Sequence, residues 1–370
     1  MYVSVFVDFK KAFDSIDRVA MFKILRHYGI PEPIVNAIRC LYIDSRSAVI
    51  VDGNISEEFE VKTGVLQGDV LAPYLFIVVI DWVMRNSNIE DLGFITHKRI
   101  SRRTPEQKIG DLEYADDISL LENETHKAQQ QIDSLSDTAK EVGLLINIGK
   151  TKVLSKHVAP NPRITIDGIA LEVVDDFQYL GAFVNDTMRD FNYRKAKAWL
   201  AFWKLKKIWR SNVTIDLKVK FFNASVLSVL LYATETYVMN VNIQKKINSF
   251  QTSCLRIILN IKRTDRVRNE QIYNVTKTKP LMSRVTKTQL SFIGHSIRRD
   301  TNDLIQKYCL FVPTYGHRNR GRQKTTFKQH IAKTIYDDAN VEERTIRNAA
   351  SDRAEWRDVV KAASRFFEIE

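Results

Sequence analysis

Hydrophobic and polar residues alternate along the first half of the chain with the periods of strands and helices. Residues 2–8, YVSVFVD, are β-branched and aromatic and predict a buried strand that ends at Asp8. The next apolar pattern, RVAMFKILRHYG, has helical spacing, with Asp17 as its N-cap and Gly29 as its stop. A further helical pattern, HKAQQQIDSLSDTAKEVG, ends at Gly143. These patterns predict a fold that mixes strands and helices.

Turn residues between short apolar segments predict three hairpins. One hairpin lies in LEYADDISLL, where Asp116 and Asp117 separate two segments predicted as buried strands. Asp-Asp is a common turn pair because short acidic side chains bond their own backbone, so alone it indicates only a turn. The pair would indicate a functional site only if other carboxylates could take part in the same task, such as binding a cation. The other two hairpins turn at Asp-Gly pairs, Asp52-Gly53 and Asp167-Gly168.

The composition describes a folded chain whose halves differ in charge. Of its 370 residues, 44% are hydrophobic, enough for one large or two ordinary domains. Residues 1–184 carry 20 Lys and Arg against 27 Asp and Glu, a net charge of −7. Residues 185–370 carry 36 against 17, a net charge of +19. A basic half beside an acidic one indicates a polyanion surface next to carboxylates kept for cations, or else a solvated basic surface.

Cysteine spacing and hydropathy bear on the cellular compartment. Cys40, Cys254 and Cys309 lie far apart and predict neither a disulfide framework nor a zinc site, which favours a reducing compartment. No apolar run reaches membrane-spanning length, and the first residues lack the pattern of a signal peptide. We therefore expect an intracellular protein with no membrane partner.

Basic helical patterns characterise the second half. FNYRKAKAWLAFWKLKKIWR places Trp199, Leu200 and Trp203 among Lys and Arg residues, which suits a surface that faces nucleic acid. The next pattern, LKVKFFNASVLSVLLYATETYVM, is far more apolar and predicts a helix. We place one domain boundary near residue 185 and another near residue 312.

The acidic residues at strand ends suggest metal-dependent phosphoryl transfer. This chemistry uses two divalent cations about 4 Å apart, one at the attacking hydroxyl and one at the departing phosphates. Such hard cations prefer carboxylate oxygens. Asp8 ends one predicted strand, and Asp116 and Asp117 form a turn between two others, so the three can meet on neighbouring strands of one sheet.

Three blocks in chain order, VFVDFKKAFDSID, GVLQGDVLAPYLF and LEYADDISLL, resemble motifs A, B and C of reverse transcriptases. GLLINIGKTK resembles motif D, and FQYLG resembles the primer-grip motif E. The residues of the first two blocks are most similar to those of LINE-type retrotransposons, which lack long terminal repeats. LSFIGHSIRR and DRAEWRDVV resemble the region after the polymerase in RTE-type elements. Two residues depart from the family pattern in that region. Thr234 stands where Gly or Cys is usual, in LLYATETY, and Phe292 stands where Trp is frequent.

The resemblance implies an α+β fold with three parts. Residues 1–184 would form a reverse transcriptase palm, an antiparallel sheet backed by helices. Residues 185–311 would form a helical thumb that binds nucleic acid, and residues 312–370 a basic C-terminal tail region. The implied activity is RNA-directed DNA synthesis with two Mg²⁺ ions, or Mn²⁺ as a substitute. Its partners would be an RNA template, dNTPs, and a DNA primer or nicked target DNA, in the nucleus or the cytoplasm.

The resemblance also implies a metal site and a general acid. Asp8 and Asp116 match the residues that ligate both metals, with Asp117 supporting the metal site and the backbone carbonyl of Phe9 nearby. Lys150 matches the motif D lysine that protonates or neutralises the leaving pyrophosphate. The alternative for Lys150 is a solvated surface lysine.

Further motif residues match contacts to substrate. Phe13 matches the aromatic gate that excludes a ribose 2′-hydroxyl, and its alternative is ordinary core packing. Asp69, Asp14 and Asp17 receive no catalytic role, the last two being expected as turn and cap residues. Gln67-Gly68 match a turn near the incoming nucleotide and template, with a plain helix-start turn as the alternative. The residues expected to hold the primer end are Tyr179, Leu180 and Gly181.

Related polymerases have fingers strands before motif A, whereas motif A lies here within the first residues of the chain. We therefore expect a chain that runs from palm to C-terminus and lacks fingers and endonuclease. Two alternatives to an active polymerase follow. One is an inactive truncated remnant that only binds nucleic acid. The other is a two-metal nuclease, which would have no use for a deoxyribose gate at Phe13.

Overall fold

The computed structural model describes residues 2–89, 91–99, 101–103, 105–156, 163–184, 186–312 and 325–366. The chain divides into two compact units, Met1–Gly181 and Ala182–Glu370. The first unit is built around a sheet, and the second unit is almost entirely helical. The predicted α+β fold class is confirmed.

The first unit combines short strands with five helices. Its strands are β1 (Tyr2–Val7), β2 (Arg46–Ser47), β3 (Ile50–Val51), β4 (Asn54–Ile55), β5 (Phe59–Glu60), β6 (Phe94–His97), β7 (Gln107–Ile109), β8 (Asp111–Tyr114), β9 (Asp117–Glu122), β10 (Lys152–Lys156), β11 (Thr165–Ile166), β12 (Ile169–Ala170), β13 (Glu172–Val174) and β14 (Gln178–Tyr179). Its helices are α1 (Ala12–Ser15), α2 (Arg18–His27), α3 (Glu32–Tyr42), α4 (Ala72–Ser87) and α5 (Thr125–Glu141).

A five-stranded sheet in the order β13-β10-β1-β9-β8 forms the centre of this unit. It is antiparallel, as expected, except for the parallel pair β10 and β13. Strand β1 lies in the middle, and five of its six residues are buried because both neighbours and the helices cover it. Helix α5 packs on β1 and β9, and helices α4 and α5 pack on each other.

Several local predictions for this unit are confirmed. The Asp17 side chain accepts a hydrogen bond from the amide of Ala20 at 2.7 Å and caps α2. The face of α5 that was expected to be apolar is buried. Both Asp-Gly pairs form the turns of hairpins β3–β4 and β11–β12, with φ of 49° and 82° at Asp52-Gly53.

The second unit contains strand β15 and eleven α-helices among its described residues. Strand β15 is Ala182–Phe183. The helices are α6 (Thr187–Lys204), α7 (Lys206–Trp209), α8 (Ile215–Phe221), α9 (Ser228–Leu230), α10 (Val241–Ile258), α11 (Asn269–Thr276), α12 (Leu281–Ile297), α13 (Leu304–Tyr308), α14 (Phe327–Tyr336), α15 (Glu343–Ser351) and α16 (Arg353–Phe366).

The apolar pattern predicted as one helix after residue 216 is divided. A π-helical segment, Phe222–Leu227, separates α8 from α9. Helix α9 ends at Leu230, and Ala233 adopts a left-handed φ of 61° before a 3₁₀ turn. Periodicity cannot predict this break, because the π segment still buries Phe222 and Val226 as an α-helix would.

The segment expected as a basic tail after residue 312 forms helices α14 to α16. Helix α16 packs on α12, and the Trp356 indole N–H donates to the Leu290 carbonyl at 2.8 Å. Gly294 lies against that indole, where a Cβ atom would overlap it. Residues 313–324 and 367–370 of the expected tail lie outside the described residues.

Candidate active site

Asp8 and Asp117 occupy adjacent strands at one end of the central sheet. In the antiparallel ladder of β1 and β9, Val7 pairs with Ile118. Asp8 directly follows Val7 and Asp117 directly precedes Ile118, so the next position of this ladder brings the two acidic residues together. The structure therefore unites the two acidic segments that the sequence suggested could meet.

A two-residue turn presents Asp116. Tyr114 pairs with Asp117, which leaves Ala115 and Asp116 between β8 and β9. Ala115 adopts a left-handed φ of 54°, as tight hairpins require. Asp116 is exposed at the turn. The prediction that both flanking strands are buried is wrong for β8, which is mostly exposed because it is the edge strand of the sheet.

Residues 145–151 hold the segment that follows β1. The Asp8 carbonyl accepts a hydrogen bond from the Asn147 amide at 2.7 Å, and the Asp8 amide donates to the Thr151 hydroxyl at 3.3 Å. These bonds fix the motif D segment beside motif A. As a result, Lys150 Nζ lies 3.6 Å from Asp8 Oδ2 although its side chain is 71% exposed.

The carboxylates of this site repel one another. Burial, followed by the charges of Asp116 and Asp8, raises the pKa of Asp117 above its ordinary value. The Oδ2 atom of Asp8 is buried and accepts no hydrogen bond from the described residues. A cation near this atom would relieve the repulsion and satisfy the oxygen.

The described residues contain no group of three or more His, Cys, Asp and Glu side chains arranged to hold a metal ion. Mg²⁺, however, is commonly bound by one or two carboxylates together with substrate phosphates. Asp8 and Asp117 fit that mode of binding, because they are adjacent and Asp8 has an unsatisfied oxygen. The site suits an ion shared with a phosphate substrate better than a closed protein cage.

An open cavity of about 600 Å³ lies beside Asp8. Lys10 and Lys11 line it together with Lys150, so three lysines border one cavity. Lys10 and Lys11 were not predicted as site residues, although they follow Asp8 and Phe9 in VFVDFKKAFD. Such a cluster attracts phosphate groups. The remaining lining residues are Phe9, Asp14, Ser15, Thr63 and Asn147.

Phe13 is half-buried and packs against the core of the first unit. Its ring stacks on the buried Phe76 with centroids 4.4 Å apart and an interplanar angle of 12°. Its carbonyl accepts a hydrogen bond from the Val65 amide at 2.7 Å. Core packing thus fixes the ring, and its role as a gate stays a prediction.

The Gln67-Gly68 turn lies between motif A and helix α4. Gly68 has a φ of 95°, and open space surrounds the position of a Cβ atom, so backbone conformation rather than crowding favours glycine there. The Gln67 amide donates to the Asp14 carboxylate at 3.3 Å. Asp69, which received no role, accepts a hydrogen bond from the Leu71 amide at 3.2 Å, just before α4.

The residues of FQYLG differ in exposure. Tyr179 is half-buried, and its hydroxyl donates to the Asp117 carbonyl at 2.9 Å. Burial and the charges of Asp117 and Glu113 raise the pKa of Tyr179 to about 12. Leu180 and Gly181 form an exposed turn with φ of 47° and 76°. Their contact with a primer stays a prediction.

Comparison with known proteins identifies the class of this domain. Residues 2–184 match the family described as Reverse transcriptase (RNA-dependent DNA polymerase). Residues 2–184 therefore form a reverse transcriptase domain, and its relatives place this domain among those of retrotransposons without long terminal repeats. Members of the family act on nucleic acids and use divalent metal ions.

The chain resembles transposon proteins of several animals. It is 28% identical to a transposon-derived protein of Caenorhabditis elegans, over 69% of this chain and 96% of that protein. It is 28% identical to the Pol polyprotein from the type-1 retrotransposable element R2 of Popillia japonica, over 50% of this chain and 31% of the polyprotein. It is 24% identical to the RNA-directed DNA polymerase from mobile element jockey of Drosophila funebris, over 63% of this chain and 26% of that enzyme.

The chain therefore spans less than a third of the R2 and jockey proteins but almost all of the nematode one. Among solved structures, a telomerase of Candida albicans is 12% identical and covers 84% of this chain and 50% of its own, with a TM-score of 0.35. Within the described part of the chain, helices with the length and apolarity needed to cross a membrane are absent.

Proposed function

We propose that this chain is an RNA-directed DNA polymerase that extends a primer by two-metal nucleotidyl transfer. The observation that supports this most directly is the adjacency of Asp8 and Asp117 beside a cavity with three lysines. Lys150 Nζ lies 3.6 Å from Asp8 Oδ2 and so connects the carboxylates with the cavity. Neighbouring carboxylates and lysines are the parts that a nucleoside triphosphate and its cations need.

The residues present suit each part of this reaction. The oxygen of a primer 3′-hydroxyl attacks the α-phosphorus of a dNTP, the hydroxyl proton passes to water, and the bond to the departing pyrophosphate breaks. Mg²⁺, when bound, activates the hydroxyl and stabilises the charge on the phosphates. Lys10 and Lys11 bind the triphosphate, Lys150 gives a proton to the pyrophosphate or neutralises it, and Phe13 excludes a 2′-hydroxyl.

The finer assignments are proposals too. An RNA template agrees with the similarity to the RNA-directed DNA polymerase of the jockey element. A primer at a nicked chromosomal target and action in the nucleus rest on the resemblance of the sequence motifs to LINE-type elements. Membership of the RTE-type subclass rests on the blocks LSFIGHSIRR and DRAEWRDVV. Mn²⁺ is expected to replace Mg²⁺, because both prefer oxygen ligands.

The test is Mg²⁺-dependent incorporation of dTTP by the full chain on oligo(dT)-primed poly(rA). We expect incorporation by the natural chain and none by the double variant Asp116→Ala, Asp117→Ala. The matched control, Asp133→Ala with Asp137→Ala, removes two exposed carboxylates of α5 and should retain activity. Equal incorporation by both double variants would exclude the proposed site.

The exposed apolar and basic residues of helix α6 favour a second candidate function, which is the binding of nucleic acid without DNA synthesis. Leu200 and Trp203 are 66% and 48% exposed, and the exposed Lys197 and Lys204 lie on either side of them. Phosphate contacts make affinity fall steeply with salt, and Trp203→Ala should weaken RNA binding about fivefold or more through lost base stacking. Salt-sensitive RNA binding without incorporation would favour this function, whereas a flat salt response would exclude it.

A further inference from the structure

The hydroxyl of Tyr179 is directed at the hairpin that carries the acidic pair. It donates to the carbonyl of Asp117 at 2.9 Å, and the carbonyl of Leu112 lies 3.3 Å away. Leu112 belongs to β8 and Asp117 to β9, so one hydroxyl reaches the backbone of both strands of the hairpin. A hydroxyl has a single proton, which these two carbonyls share.

The ring of Tyr179 is anchored to the central strand. Its centroid lies 5.3 Å from that of Phe6, and Phe6 stacks on Phe177 with centroids 4.2 Å apart. Phe6 is 5% exposed and pairs with Ser119 of β9. The tyrosine therefore connects β1, which leads to Asp8, with the hairpin that leads to the acidic turn.

The acidic hairpin has a reason to need such a restraint. The turn has only two residues, one of them Ala115 in a left-handed conformation, which is unfavourable for a residue with a Cβ atom. Asp116 and Asp117 are consecutive and lie near Asp8, so like charges tend to open this end of the sheet. Strand β8 is at the edge and has no strand on its outer side among the described residues.

We propose that Tyr179 is a positioning residue for the acidic pair and not a contact for the primer. Its hydroxyl holds the Asp116-Asp117 turn in register with Asp8. The exposed Leu180 and Gly181 are left to meet the primer. This inference rests on the proposed polymerase function for its kinetic consequence, but the restraint on the hairpin is independent of activity.

Tyr179→Phe tests the inference because it keeps the ring and removes the hydroxyl. The matched control is Tyr28→Phe, which removes the hydroxyl that Tyr28 directs at Asp81 elsewhere in the first unit. The first readout is hydrogen exchange in peptides covering residues 112–120. We expect exchange there to be about three- to tenfold faster in Tyr179→Phe, since one hydrogen bond is lost, and unchanged in Tyr28→Phe.

The second readout is steady-state incorporation of dTTP. We expect kcat to fall about three- to tenfold while the Kd for primer and template stays unchanged. Unchanged exchange in residues 112–120 would overturn the inference, and so would a raised primer Kd with an unchanged kcat. If the natural chain incorporates nothing but exchange still rises in Tyr179→Phe, the polymerase proposal fails while the positioning role holds.

Discussion

Lys150 Nζ lies 3.6 Å from Asp8 Oδ2, the buried carboxylate oxygen that accepts no hydrogen bond from the described residues. The two residues belong to motifs D and A, and backbone bonds from Asn147 and to Thr151 hold them together. An ion pair with a lysine this exposed contributes little to stability, at most about 1 kcal/mol. The Lys150 side chain could therefore move to bind a phosphate if a metal ion replaced its ammonium group beside Asp8.

Lys150→Ala should lower the rate of dNTP incorporation about 100-fold, because the pyrophosphate would leave without a nearby proton donor. Single-turnover kinetics would measure this loss. Lys23→Ala is the matched control, since Lys23 is exposed on α2 and lies outside motifs A to E. A Lys150 variant as fast as this control would favour the solvated surface lysine that sequence analysis left open.

Asp8→Asn should abolish stabilisation of the chain by Mg²⁺ with dTTP. Ligands that bind only the folded state increase its free energy of unfolding, by about 2.7 kcal/mol at 100 times their Kd, and so raise the melting temperature. Thermal unfolding with and without Mg²⁺ and dTTP would show a shift for the natural chain and for Asp137→Asn, an exposed carboxylate of α5. A persistent shift in Asp8→Asn would place the ion elsewhere.

Phe13→Val should weaken discrimination against ribonucleotides about tenfold or more, because the smaller side chain leaves room for a 2′-hydroxyl. The ratio of dTTP to UTP incorporation measures this effect. Loss of the stack on Phe76 should also cost about 1–3 kcal/mol of stability. Phe59→Val, at a half-exposed phenylalanine of β5, should leave the ratio unchanged, and an unchanged ratio in both variants would identify Phe13 as core packing alone.

Gly294→Ala should destabilise the second unit by about 1–3 kcal/mol, because its Cβ atom would overlap the Trp356 indole in a packed core. Denaturant unfolding would measure the loss. Ser291→Ala changes an exposed position of the same helix and should be close to neutral. Equal stability of the two variants would show that α16 is not docked on α12 as described.

Burial lowers the pKa of His330 from its ordinary value of 6.5 to about 4. The unfolded chain then binds a proton that the folded chain does not, so stability falls as pH is lowered from about 6.5 to 4. The loss from this group is up to roughly 3 kcal/mol. His330→Gln should flatten this part of the pH profile of unfolding, whereas His295→Gln, at an exposed position, should not. An unaltered profile in His330→Gln would contradict the effect of burial.

Sequence alone predicted much of the first unit and the identity of its acidic residues. The strand before Asp8, the cap at Asp17, the buried face of α5 and the Asp-Gly hairpins follow from residues close together in the chain, where conformational preference and periodicity act. The order of motifs A to E likewise predicted the reverse transcriptase family, which comparison confirmed.

The sequence did not predict the π segment, the exposure of β8 or the folded helices after residue 325. It also assigned no role to Lys10 and Lys11, which line the cavity beside Asp8. Each of these features depends on which distant surface covers a segment, and local preference does not encode that.

What the sequence by itself determined was which residues are candidates for the proposed chemistry: Asp8, Asp116, Asp117 and Lys150. Only the tertiary structure decided how they meet. The pairing of β1 with β9 places Asp8 next to Asp117, and the Tyr179 hydroxyl turns toward the hairpin backbone. The physical reason is that strand register and side-chain direction are fixed by packing between residues far apart in the chain, whereas residue type and periodicity are local.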